Sequence, residues 1–136
     1  MSRNKHNQLL GSDVDRSDAR IDKTGEVFTP MDLCIQMINE IPLDEIKNPD
    51  STFLDPAAGN GNFMVALKQK LIEYHSEQHI LNKMLYAVEL MKDNHQEMCN
   101  RLGVSVTHPH YVCADALTYD YSFGELVGVE CFYESK

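Results

Sequence analysis

Leu54-Asp55-Pro56-Ala57-Ala58-Gly59-Asn60-Gly61-Asn62-Phe63 is the stretch on which the reading of this chain turns. It follows a short apolar run, Ser51 to Asp55, and opens a segment in which Phe63, Leu67, Leu71 and Tyr74 recur at helical spacing. The stretch is therefore a strand-to-helix turn. Gly59 and Gly61 let the backbone turn tightly and approach a ligand closely, and Ala57 and Ala58 keep the walls small. A carboxylate at the end of the strand, Asp55, suits a cationic ligand group. A phosphate cradle would want bare amides and no acidic neighbour.

Outward from that turn, strands and helices alternate. Upstream, Thr29 is placed to cap a helix with Pro30 at its first position, and Cys34, Met37, Ile38 and Ile41 share one face until Pro42. Downstream, residues 84 to 90 (MLYAVEL) read as a buried strand. Met91, His95, Met98 and Leu102 then form a helical stripe, with Gly103 placed to end it. Residues 110 to 115 (HYVCAD) give a third strand and residues 126 to 129 (LVGV) a fourth. Strands joined through helices pair in parallel, and ligands bind beyond the carboxyl ends of such strands. Acids stand at those ends: Asp55, Glu89 and Asp115. Glu89 is placed to accept ribose hydroxyls, and Asp115 to accept from an exocyclic amine such as adenine's.

Composition bounds the rest. The 136 residues carry a net charge of −9 with 43% hydrophobic content, enough for one real core but not for a separate substrate-recognition domain. Residues 1–23 form a polar arm with five basic and four acidic side chains, and residues 24–136 the folded part. The arm reads as solvated, although Arg3, Lys5, Arg16, Arg20 and Lys23 could touch a polyanion. Past residue 23 no basic cluster offers phosphate contacts, so duplex DNA should be bound weakly by this chain alone. No apolar run approaches the length of a membrane span and no signal-peptide core leads the chain, so a cytoplasmic location is expected. Cys34, Cys99, Cys113 and Cys131 form no CxxC pair and are read as reduced thiols. The groups His75/His79, His95/Cys99 and His108/His110/Cys113 lack strong zinc spacing, and no metal site is expected.

These stretches resemble the cofactor-binding half of N6-adenine DNA methyltransferases, particularly type I modification subunits and the gamma-ordered enzymes. Residues 24 to 30 (TGEVFTP) resemble the motif ahead of the first strand, and LDPAAGNGNF the cofactor loop. Residues 87 to 90 (AVEL) resemble the ribose-binding strand end, and residues 113 to 117 (CADAL) the adenine-binding one. The resemblance implies a Rossmann-like S-adenosylmethionine-dependent methyltransferase fold, of which this chain holds the N-terminal half, about four parallel strands with flanking helices. It places Thr24, Phe28, Thr29 and Pro30 on the methionine side of S-adenosylmethionine. Asp55, Ala57, Gly59 and Gly61 fall at the loop, Glu89 on the ribose, and Asp115 with Ala116 at the adenine.

The family's Asn-Pro-Pro-Tyr/Phe tetrad, whose Asn and Pro hold the flipped adenine's amino group, has no match. Val129, Glu130, Cys131 and Phe132 stand there, and only the aromatic survives. Losing one preorganised polar contact costs about 10² to 10³ in rate. Lys136 closes the chain four residues later. The expectation is thus a truncated member that keeps the cofactor site without turnover of its own. Two other readings stay open: an acidic decoy or subunit that engages a methyltransferase or restriction-modification complex, and one half of a split enzyme. An uncovered sheet edge would favour a partner, either a second copy or a methyltransferase subunit.

Overall fold

The computed structural model describes residues 28–124. The polar arm, Thr24, the fourth strand and the tetrad positions 129–132 lie outside the described residues.

Helix α1 spans Met31–Asn39. Pro30, not Thr29, occupies the cap position, with φ −59° and ψ 149° and no side-chain cap bond, which moves the expected helix start by one residue. A proline extended in ψ cannot be the first helical residue. Its carbonyl still accepts the Cys34 N–H at 3.0 Å. The buried stripe is Met31, Cys34 and Ile38, with Ile41 packed beside it. Met37, assigned to that face, is 48% exposed because it falls on the flank of this stripe. Pro42 then opens a short helix not foreseen from the sequence, α2 (Leu43–Lys47), which buries Ile46.

Strand β1 is Phe53–Asp55. After the glycine turn, α3 covers Asn62–Leu71, entered through Gly61 at φ +92°. Its inner face is Met64, Leu67 and Leu71. Phe63 is only partly buried, and Tyr74 lies beyond the helix end at 39% exposure. A second unforeseen element follows, the single turn α4 (Glu77–His79), capped by Ser76 Oγ accepting the His79 N–H at 3.1 Å. It runs into a π-helical turn over Ile80–Met84. Its apolar residues Ile80, Leu81 and Met84, all buried, had no helical period long enough to announce it.

Strand β2 is Leu85–Glu89, α5 is Lys92–Leu102, and β3 is Tyr111–Cys113. Gly103 ends α5 in the left-handed conformation, φ +80°, its N–H bonding the Cys99 carbonyl at 2.9 Å. The three described strands pair in parallel in the order β1-β2-β3, with Asp55 opposite Ala87 and Glu89 opposite Cys113. All three are shorter than the sequence suggests, since their flanking residues belong to turns. Asp115 accordingly sits two residues past the end of β3. Helix α3 packs against both α1 and α5, and α5 also packs on β2 and β3. The core between them holds Met64, Leu67, Leu85, Ala87, Met98 and Leu102. This is an α/β fold, a parallel sheet with helices packed against it and its strand carboxyl ends turned toward the glycine loop, in keeping with the Rossmann-like expectation.

Two substitutions separate packing from backbone conformation. Leu67→Ala removes a fully buried side chain and should cost about 3 kcal/mol in urea denaturation. Gly103→Ala places a Cβ that meets nothing within 4 Å, so only the left-handed backbone is charged, about 1 kcal/mol.

Candidate functional site

The site is built where the turns after β1, β2 and β3 meet. Asp55 ends β1, and its Oδ1 accepts the Ala57 N–H at 3.1 Å, which folds Pro56 and Ala57 outward into an Asx turn. Ala58 then donates to the Val88 carbonyl at 3.0 Å, fastening the loop to β2. Gly59 takes φ +58°, and its N–H donates to Glu89 Oε1 at 2.7 Å. Gly61 completes the turn by donating to the Ala58 carbonyl at 3.0 Å. From α5, Arg101 Nη1 donates to the Asn60 carbonyl at 2.8 Å.

Glu89 is the hub. It is 7% exposed, and its other oxygen accepts from the Met91 N–H at 2.9 Å and the Asn94 amide at 3.3 Å. Three donors occupy a carboxylate that has about four lone-pair sites. Neither Glu89 nor Asp55 forms an ion pair among the described residues. Burial pushes the Asp55 carboxyl above its ordinary value; the Ala57 N–H opposes that, and the charge of Glu89 adds to it. Two carboxylates at adjacent strand ends thus share a field, and neither is ion-paired among the described residues.

Phe28 enters from the segment before α1. A Cβ at position 59 would lie 2.8 Å from Cδ1 of its ring, so the ring rests directly on the glycine backbone. Thr29 is joined to the loop through its carbonyl, which accepts Asn62 Nδ2 at 2.9 Å. Pro30 stands at the cap of α1, exposed. The third turn is less tightly gathered. Ala114 donates to the Glu89 carbonyl at 3.0 Å, which sets Asp115 next door. The Asp115 carboxylate itself is exposed and accepts the Leu117 N–H at 2.9 Å, while the Ala116 carbonyl accepts the Tyr121 hydroxyl at 2.6 Å.

Phe28 therefore rests on Gly59, which is bonded to Glu89; Asn62 ties Thr29 to the same loop, Asp55 is bonded to Ala57, and Asp115 and Ala116 follow Ala114, which is bonded to the Glu89 carbonyl. Sequence reasoning missed Asn62, Asn94 and Arg101, the three side chains that hold this loop in place. Polar residues on a helix give no periodic signal. The histidine pairs are tied to other work: His75 Nε2 donates to the Ile46 carbonyl at 2.7 Å and His79 Nε2 to that of Pro49 at 2.8 Å. No group of three potential metal ligands converges among the described residues. Burial pushes the thiols of Cys34 and Cys99 up to about 11, so both are protonated at neutral pH. Among the described residues no helix is long and apolar enough to cross a membrane.

Residues 15–117 match the family described as N-6 DNA Methylase. The chain belongs to that family. It is also 36% identical over 104 residues to an uncharacterized adenine-specific methylase of Mycoplasma pneumoniae (strain ATCC 29342 / M129 / Subtype 1), a match covering 65% of this chain and 25% of that protein. The chain thus spans about a quarter of the length of the curated relative it matches. As an N-6 DNA methylase relative, it carries in residues 28–117 the strand ends and loops described above.

The raised Asp55 carboxyl has a stability consequence. In the folded state it holds its proton to higher pH than in the unfolded chain, so it detracts from stability as pH rises through that window. Asp55→Asn, which keeps an oxygen for the Ala57 N–H, should be more stable than the parent at pH 7. The difference should disappear once both states are protonated, below about pH 3.9. Thermal unfolding of the two proteins from pH 3 to 8 measures this, and a parent that is the more stable at neutral pH would contradict it.

Proposed function

We propose that this chain is the S-adenosylmethionine-binding portion of an adenine-N6 DNA methyltransferase, without turnover when alone. The observation that carries the reading is the pair Asp55 and Glu89, two neighbouring carboxylates of which neither has an ion-pair partner among the described residues. The chemistry of that donor set fits a ligand bearing a sulfonium and an ammonium group, because opposite charge nearby favours the ionised acid. When bound, S-adenosylmethionine supplies the methyl group that is transferred to N6 of adenine.

Thr24, Phe28, Thr29 and Pro30 are assigned to its methionine side. Asp55, Ala57, Gly59 and Gly61 form the loop, and the Phe28 ring resting on Gly59 gives it one aromatic wall. Glu89 is assigned to the ribose. Since three of its acceptor sites are in use, a hydroxyl takes the free one or replaces the 3.3 Å Asn94 contact, the longest of the three. Asp115 and Ala116 are assigned to the adenine, where an exposed carboxylate is open to an amine.

Activity on DNA needs more than these residues. A net charge of −9 disfavours a duplex, and base extrusion needs a snug pocket and contacts to the flanking strand. Leu54 on β1 is 48% exposed. The polypeptide that completes the sheet and supplies an Asn-Pro-Pro-Tyr/Phe tetrad is assigned to the edge of β1, which pairs only with β2 among the described strands, as a second copy or a methyltransferase subunit within a restriction-modification assembly. A cytoplasmic setting accords with this role.

Calorimetry with S-adenosylmethionine and its neutral relative S-adenosylhomocysteine tests the cofactor reading. The parent should prefer the sulfonium, and Asp55→Asn should lose that preference by roughly ten-fold, the size of one nearby opposite charge. A flat titration at millimolar ligand would end the proposal. Radiolabel transfer to adenine-containing DNA by the purified chain alone would refute the lack of turnover.

A further inference from the structure

The segment Phe28-Thr29-Pro30 crosses the glycine turn on its way into α1, and one side chain joins the two. Asn62, the first residue of α3, is 4% exposed. Its Nδ2 donates to the Thr29 carbonyl at 2.9 Å. A carbonyl only accepts, so the amide cannot face the other way, and the leftover oxygen must be Oδ1. That Oδ1 is buried without a partner. A site that needed only bulk at this point would be better filled by an apolar side chain, as at the neighbouring Met64, because an orphaned acceptor costs stability. The donor is what the position retains.

What the donor holds is one residue away from Thr29. The Phe28 ring lies so close to Gly59 that no Cβ fits between them, Cδ1 and Cε1 standing 2.8 and 3.0 Å from where it would be. The Thr29 carbonyl also draws the Cys34 thiol, at 3.7 Å, a weaker contact from α1 itself. Asn62 is thus the link that ties this carbonyl to α3 rather than to its own helix.

We infer that Asn62 is a positioning residue of the cofactor cleft: by gripping the Thr29 carbonyl it seats the Phe28 ring on Gly59 and fixes the aromatic wall of the cleft. The ligand-related part of this rests on the cofactor reading above; the seating of the ring does not. Asn62→Asp is the informative change. It preserves shape, deletes the donor and sets a carboxylate against a carbonyl.

The chain contains no tryptophan, so Phe28→Trp creates a sole reporter at the ring position. In that background Asn62→Asp should red-shift the emission and raise acrylamide quenching, with far-UV circular dichroism unchanged. Without the reporter, chymotrypsin should cleave after Phe28 about ten-fold faster in Asn62→Asp than in the parent, the scale of one buried hydrogen bond in a local opening equilibrium, while cleavage at core sites stays constant. Emission and cleavage unmoved by Asn62→Asp would overturn the inference, as would equal acceleration at every site, which marks general destabilisation. S-adenosylhomocysteine should bind about ten-fold more weakly to Asn62→Asp, and an unchanged affinity would overturn the positioning role. If the parent binds none while the ring signals respond as expected, the cofactor reading falls and the seating of Phe28 stands.

Discussion

A single buried carboxylate holds the working end of this sheet together. Glu89 draws the Gly59 N–H from the loop after β1, the Met91 N–H from its own turn and the Asn94 amide from α5. Parallel strands have no hairpin to link their ends, so contacts between separate loops must set the relative position of those ends. An acid suits this better than a neutral side chain. It accepts on several sides at once, and hydrogen bonds to charged groups contribute about 1.5 to 3 kcal/mol each. The same charge, with no counterion among the described residues, leaves the cleft electrically incomplete.

That incompleteness runs against stability. Asp55, raised by burial and by Glu89, is a group the fold would be better without at neutral pH. Sequence features that oppose the fold are expected where function demands them, and the proposed cation site would require its anions in place before a cation arrives. The orphaned acceptor of Asn62 belongs to the same group of local costs, and both fall within eight residues of chain.

The order of elements was legible because apolar spacing records it. The glycine turn, the buried β2 and the stripe of α5 each carry a period or a terminator that survives in the letters, such as Gly103 at its helix end. The start of α1 was misplaced by one residue because Thr29 and Pro30 both suit a helix entrance, and only the ψ of Pro30 decides between them. The turn at Glu77–His79 and the π-helical turn after it were missed because three to five residues hold no measurable period. In the site, Glu89 and Asp55 stood out as acids at strand ends. Their supporting side chains did not, since Asn62, Asn94 and Arg101 become partners only when α3, α5 and the loop come together.

The sheet face bearing Leu54 and Tyr86 is covered in a different manner from the helical side. The segment leading to Gly124 lies against it, and Leu54, Tyr86, Tyr121, Ser122 and Phe123 line an open pocket of about 280 Å³. Tyr121 and Phe123 take φ of +58° and +47°, a conformation that bulky residues adopt at about 1 to 2 kcal/mol each. Peeling this strap from the sheet would release that tension. Removing this strap from the sheet therefore needs less work than its aromatic contacts alone suggest.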